Sequence, residues 1–292
     1  LLLYALLPVL YHLQLGVNLR PAALQSAASG GPHLPPFPAA SKEVPGTGER
    51  VSGIQEEKDS RQELALLKQR NTLRLYPKEV FLTFDDGPSP KNTPRILEIL
   101  TRFKVKATFF TVGRSAEAQP ELLWAEDNKG MSIASHSYTH NYRLVYASAV
   151  SFLEELQRTN DIINQVTGKE PLLFTRWPGG SNNAVSSTKV KLDIKQALRE
   201  RGINYLDWNV DSGDARGITV PAGQIRDNVI RDLKGLNFAV VLMHDSAPKI
   251  TTVEALPEII QYLLDQGYSF RTLDELNLKE KEEMLKLGIM NK

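Results

Sequence analysis

The chain of 292 residues contains no cysteine. That excludes disulfides, thiolate metal sites and cysteine nucleophiles, so any metal has to rest on nitrogen and oxygen ligands. Histidine is scarce as well, being limited to His12, His33, His136, His140 and His244. Charge of either sign is not in excess: 35 basic against 34 acidic side chains leave +1. No basic stripe is interleaved with aromatics, so there is no electrostatic footprint for nucleic acid, and none is expected as a partner. Nothing predicts an oligomer. What is present suits a soluble core, with 41% apolar and 24% charged residues. The length allows one domain of about 200 residues plus accessory segments.

Formal charge is also missing from the start of the chain, where none precedes Arg20. Residues 1–19 approach the roughly 17–25 apolar residues that a membrane-spanning helix needs. A membrane anchor or a signal segment is expected there, with Ser26-Ala27-Ala28 a weak cleavage site in the second case. Both readings put the rest of the protein outside the cytoplasm, anchored or secreted. His12 is a tolerated polar residue of that segment. Residues 20–53 are rich in Pro, Ala, Gly and Ser with no hydrophobic period, which reads as a flexible linker containing His33. Residues 54–75 carry strong helix formers with mixed charge and suit a short connecting helix.

From Tyr76 onward apolar runs alternate with amphipathic stretches. Strands are expected at 80–85, 107–112, 132–135, 172–176, 205–210, 239–243 and 269–272. Helices should start near Pro94, Pro120, Tyr146, Thr188, Pro221 and Val253. Asn92-Thr93-Pro94 offers a cap followed by proline, and Gly130, Gly168, Gly202 and Gly267 stand where helices should stop. The alternation predicts an α/β domain over 76–280: an irregular, distorted (β/α)7 barrel of the TIM type, with 281–292 as a C-terminal tail.

The polar clusters fall at expected strand ends, where such barrels place their chemistry. Asp85-Asp86-Gly87-Pro88 closes the first strand, and taken alone it is an ordinary turn. His136 and His140 follow the third, and their four-residue spacing makes a ligand pair only if that stretch is one helical turn. Asp86 with both imidazoles would give three ligands and leave a divalent metal open to water, with a spare carboxylate adjacent. The donors suit zinc, with cobalt, manganese, iron or nickel also compatible. Arg176 ends the fourth strand and would hold Asp85 ionised and oriented. His244 follows an apolar strand, and a lone histidine there is more often structural. With Asp214 as partner its pKa would rise and it could serve as a general acid. Trp177 and Trp208 could stack on a sugar or fill the core.

Five segments together carry a resemblance: Thr83-Phe-Asp-Asp86, His136-Ser-Tyr-Thr-His140, Arg176-Trp-Pro178, Asp211-Ser-Gly-Asp214 and Leu242-Met-His244. In this order they resemble the NodB-homology polysaccharide deacetylases, carbohydrate esterase family 4, over about residues 78–276. The resemblance implies Asp85 as base and Asp86, His136 and His140 as ligands of a divalent metal, usually zinc. It implies Arg176 as the group orienting the base, and Asp214 supporting His244 as general acid. Leu242 would line the pocket for the acetyl methyl, and the Gly179 amide would face the oxyanion. Two positions depart from the pattern. Gly179 stands where the family often has an aromatic residue, and Ala215 follows Asp214 where a tryptophan is common; Trp177 or Trp208 could compensate. The variant motifs look like those of enzymes acting on peptidoglycan. The expected activity is removal of N-acetyl groups from N-acetylhexosamines of a cell-wall glycan, releasing acetate. O-acetyl xylan or chitooligosaccharide deacetylation, or an inactive glycan-binding module, are the alternatives.

Overall fold

The computed structural model describes residues 78–292. The expected anchor or signal at 1–19, the linker at 20–53 and the connecting helix at 54–75 lie outside the described residues. Among the described residues no helix is long and apolar enough to cross a membrane.

Eight strands are laid down in chain order: β1 (Glu79–Asp85), β2 (Thr108–Thr111), β3 (Ser132–Ser135), β4 (Phe174–Thr175), β5 (Asn204–Tyr205), β6 (Val210–Asp211), β7 (Phe238–His244) and β8 (Ser269–Phe270). Between and after them come α1 (Thr93–Phe103), α2 (Gly113–Ala118), α3 (Pro120–Asn128), α4 (Tyr142–Val145), α5 (Ala149–Thr167), α6 (Thr188–Glu200), α7 (Ala222–Asp232), α8 (Ile250–Asp265) and α9 (Leu278–Lys286). All strand pairs are parallel, in the order β5-β4-β3-β2-β1-β7-β6, with β8 against the start of β1. The result is the expected distorted barrel of parallel strands wrapped by helices. β1 and β7 form its spine, in register from Glu79–Phe238 to Asp85–His244.

Strand side chains alternate between faces, and that period of two builds two separate cores. Phe81, Phe110, Ala134, Phe174, Phe238 and Val240 point into the barrel. Val80, Leu82, Phe84, Phe109, Ala239, Val241 and Met243 point outward beneath the helices. Continuing the inward parity to the strand ends delivers Asp85, His136, Arg176, Leu242 and His244 to the barrel mouth. The same parity sends Trp177 the other way.

Two expectations are corrected. The run expected as one strand at 205–210 is split into β5 and β6, which pair with opposite ends of the sheet. The chain between them turns away because Asp207 is drawn elsewhere: its N–H donates to the Ile289 carbonyl, and its carboxylate accepts from the Ser181 N–H and hydroxyl. Asn209 then stitches the chain to β7 through its own side chain. The barrel is therefore open between β5 and β6. The second correction concerns the expected tail, because a boundary at 280 falls inside α9. An Asn277–Glu280 capping box starts that helix, and Met284, Ile289 and Met290 enter the inner core. Met290 bridges antiparallel to Leu206 and so plugs the gap. Dense Lys and Glu around these few apolar residues hid them in the sequence.

The helix starts also differ in detail. Asn92 makes no side-chain cap; its amide donates to the carbonyls of Ser246 and Ala247, tying the loop after β1 to the loop after β7. Gly87 has a steric reason to be glycine, since a Cβ there would lie 2.1 Å from the Asp245 carboxylate.

Candidate active site

Asp86, His136 and His140 converge. Their ligand atoms all lie within 4.8 Å of one another, with Asp86 Oδ1 at 3.5 Å from His136 Nε2 and 3.2 Å from His140 Nε2. Two ligands each about 2.0–2.1 Å from a tetrahedral zinc stand roughly 3.3 Å apart, so the spacing fits. Asp86 Oδ1 is buried without a hydrogen-bond donor, as a ligand oxygen would be. His136 Nδ1 lies 2.8 Å from the Arg176 carbonyl, which can only accept. The ring must therefore carry its proton on Nδ1 and present the Nε2 lone pair to the site. Burial, with His140 nearby, pushes the His136 pKa down to about 3, so the ring stays neutral.

The two histidines converge without the helical turn that their spacing was held to require. Residues 136–140 are a loop in which Ser137 (φ 71°) and His140 (φ 54°) are left-handed. Asp86 is left-handed too, at φ 78°. Such strain in non-glycine residues gathers where surrounding contacts fix a functional geometry.

Asp85 is buried beside this trio, its Oδ2 3.8 Å from His136 Nε2. Its Oδ1 accepts from Arg176 Nη1 at 2.8 Å. Arg176 is wholly buried and fixed at every nitrogen, donating also to Thr83 Oγ1 and to the carbonyls of Leu206 and Asp207. Its guanidinium lies 4.2 Å from the centre of the Phe110 ring. The arginine holds the Asp85 carboxylate in place but does not by itself keep its pKa low. Burial pushes Asp85 above its ordinary value, against the pull of Arg176, His244 and His140.

His244 and Asp214 form the second pair, with Nδ1 and Oδ1 2.7 Å apart. Asp214 sits in a 3-10 turn after β6. Its other oxygen accepts from the His244 N–H and from Thr252 Oγ1, both at 2.8 Å. Burial opposes charge on the imidazole, but the Asp214 carboxylate outweighs it and raises His244 to about 9. The site therefore holds a basic carboxylate and an acidic imidazolium around one three-ligand cluster.

A family model described as polysaccharide deacetylase matches residues 74–198. A peptidoglycan-N-acetylglucosamine deacetylase of Bacillus cereus is 34% identical over 202 residues, covering 68% of this chain and 70% of that protein. The chain belongs to the polysaccharide deacetylase family. A peptidoglycan-N-acetylmuramic acid deacetylase of Bacillus subtilis, PdaC, is 32% identical over 233 residues, 80% of this chain and 46% of that protein. Among solved structures, the catalytic domain of a peptidoglycan N-acetylglucosamine deacetylase from Eubacterium rectale aligns with a TM-score of 0.63 at 36% identity. That alignment covers 67% of this chain and 88% of the other.

The remaining expected residues of this deacetylase divide. Gly179 (φ 76°) offers an N–H that no group among the described residues accepts from. Leu242 is buried on the inward face two residues before His244. Trp177 is corrected: it is 1% exposed, packed among Tyr146, Phe152 and Tyr205, and cannot meet a sugar. Trp208 is partly buried, with its ring edge 3.0 Å from where a Cβ of Gly180 would be.

Several residues of the site had no signal in the sequence analysis. Glu155 on α5 accepts from the N–H groups of Tyr138 (3.0 Å) and Thr139 (2.7 Å) and from Thr139 Oγ1, holding the histidine loop. Asp207 anchors the loop after Gly179 through Ser181. Thr252 and Lys249, on and beside α8, fasten the Asp214 turn. Tyr142 on α4 stands beside His140, with ring centres 5.5 Å apart.

Proposed function

We propose that this deacetylase hydrolyses the N-acetyl group of N-acetylhexosamine residues in peptidoglycan, releasing acetate. The observation that carries the reading is the flanking of one Asp–His–His cluster by two proton-transfer groups, the Asp85 carboxylate held by Arg176 and the His244 imidazole held by Asp214. Asp86, His136 and His140 would hold a divalent ion. Zinc suits the donors best, and cobalt, manganese, iron or nickel are compatible. Such an ion supplies Lewis acidity, lowering the pKa of water toward ~7 and polarising the amide carbonyl.

The protein's own groups then do the following. Asp85 Oδ2 accepts a proton from the attacking water while Arg176 keeps Oδ1 from rotating away. The water oxygen bonds to the acetyl carbon, and the carbonyl oxygen gains charge that the Gly179 N–H can receive. Losing one such donor typically costs about 2.7–4 kcal/mol of barrier. His244, protonated at neutral pH, gives its Nε2 proton to the amide nitrogen as the C–N bond breaks, leaving acetate and an amino sugar. Leu242 offers an apolar contact for the methyl group.

The substrate assignment is supported by relatives named for peptidoglycan, one for the glucosamine and one for the muramic acid residue. Placement at the outer membrane face or in secreted form rests on the apolar stretch 1–19. From an anchor there, the spacer at 20–53 would give a mean reach of roughly 30 Å. The test is incubation of the zinc-loaded protein with muropeptides, chitooligomers and acetylated xylan, followed by mass spectrometry and acetate assay. Loss of N-acetyl groups from muropeptides is expected. Loss of ester acetyl groups alone would make it an O-deacetylase, and no loss from any substrate would leave a binding module. Asp85→Asn should keep zinc and lose turnover, whereas His136→Ala should lose both.

A further inference from the structure

We propose that Tyr142 is the aromatic wall of the sugar subsite, taking the place of a side chain that position 179 lacks. The inference rests on the deacetylase reading and deepens it to a residue that fixes substrate. Gly179 has no side chain, yet the space beside it is not empty. A Cβ built there would meet Tyr142 Oη at 3.1 Å and Cε1 at 3.6 Å. The phenol therefore comes from a different segment, the start of α4 after the second histidine, to occupy the space where a side chain at 179 would begin.

The ring is supported from behind by other aromatics. Tyr142 stacks on Tyr146, with centres 6.1 Å apart and planes inclined by 16°. Tyr146 packs on Trp177 and donates its hydroxyl to the Pro178 carbonyl at 2.7 Å, one residue before Gly179. Trp177 continues to Tyr205. Tyr146, Trp177 and Tyr205 are all below a tenth exposed, whereas Tyr142 is 36% exposed. It is the member of the ladder that reaches solvent, and it does so beside His140. Its hydroxyl makes no hydrogen bond among the described residues. A flat, rigidly backed ring with a free phenol next to the cluster has the form of a platform for a pyranose, whose axial C–H groups lie on the ring and whose hydroxyls meet Oη. Trp177, which the sequence offered for this task, supports the platform instead of forming it.

The test measures two quantities on Tyr142→Ala, Tyr142→Phe and Tyr142→Leu: zinc affinity, and binding of chitotetraose by calorimetry in the zinc-loaded Asp85→Asn background. Acetate release from chitotetraose is followed in parallel with Asp85 intact. Tyr142→Ala and Tyr142→Leu should weaken glycan binding about tenfold and raise KM with little change in kcat. Tyr142→Phe should lie between them and the parent, and zinc affinity should stay unchanged in all three. The leucine variant keeps side-chain bulk, so the comparison survives if alanine destabilises the fold. Glycan affinity unaltered in the leucine and phenylalanine variants overturns the proposal, as does a loss of zinc that parallels the loss of glycan. If the parent releases no acetate from chitotetraose or muropeptides but glycan binding still depends on Tyr142, the deacetylase reading fails and this one stands. Acetate release with no dependence on Tyr142 gives the reverse.

Discussion

Asp214→Asn isolates the electrostatic part of the acid–base pair, because the amide has nearly the shape of the carboxylate it replaces. His244 is held at about 9 against an ordinary 6.5, with burial working downward and Asp214 upward. Without the Asp214 charge only burial and the more distant Asp85 and Asp86 remain, and the imidazole should return to its ordinary value or below. The sign is that of a group with a raised pKa, whose protonated form is complete at low pH and lost as pH rises through about 9. At about pH 7.5 the parent imidazole is then ~97% protonated and the variant's ~10% or less, a tenfold loss of competent acid. At about pH 8.5 the ratio grows to roughly 75-fold, and near pH 5.5 it almost closes. The assay is kcat for acetate release from chitotetraose across that range, expressed as variant over parent so that losses common to both cancel. A variant slowed by one constant factor at every pH would refute the acid role and leave Asp214 a purely structural residue.

Three further outcomes are expected. Glu155→Ala frees the loop between His136 and His140 and should weaken zinc binding about 10–100-fold in competition with a chromogenic chelator, with Glu155→Gln between; unchanged zinc affinity would refute the positioning role. Glu126 is buried with neither carboxylate oxygen hydrogen-bonded, and burial, with Asp245 nearby, raises its pKa well above the usual range. The stability it contributes is complete below its ordinary 4.5 and is lost as pH rises through the elevated folded value. Glu126→Gln should therefore gain Tm over the parent progressively as pH rises above the ordinary 4.5, and a constant difference would contradict this. Removal of residues 287–292 takes Ile289 and Met290 from the inner core and should cost about 1.5–3 kcal/mol for each in denaturant unfolding, reopening the gap between β5 and β6.

Much of the site was legible because strands write it in a local code. The period of two in Phe81–Asp85 and Phe238–His244 fixes which side chains enter the barrel, and parallel pairing brings the strand ends to one rim. Asp85, His136, Arg176 and His244 could therefore be placed together by counting, whereas Asp86, one residue past the strand end, joins them only through its left-handed turn. The same count, carried one residue past Arg176, would have turned Trp177 away from the mouth. The pairing of His244 with Asp214 was also readable, since both follow neighbouring apolar runs. The two histidines were read through the wrong local geometry, because four-residue spacing suggests a helix while a left-handed loop achieves the same convergence.

The remainder depends on contacts between distant segments that leave no periodic trace. Glu155 looks like any helix-surface glutamate, Asp207 like a break in an apolar run, and Met290 like the end of a charged tail. Tyr142 gains its position only through the absence of a side chain at residue 179 on another loop. The sequence by itself determined the alternating architecture and the chemical character of the rim, since both follow from short-range spacing and residue type. Only the tertiary structure decided where the barrel opens, what closes it and which aromatic ring stands exposed beside the cluster, because each depends on side chains far apart in the chain competing for one space.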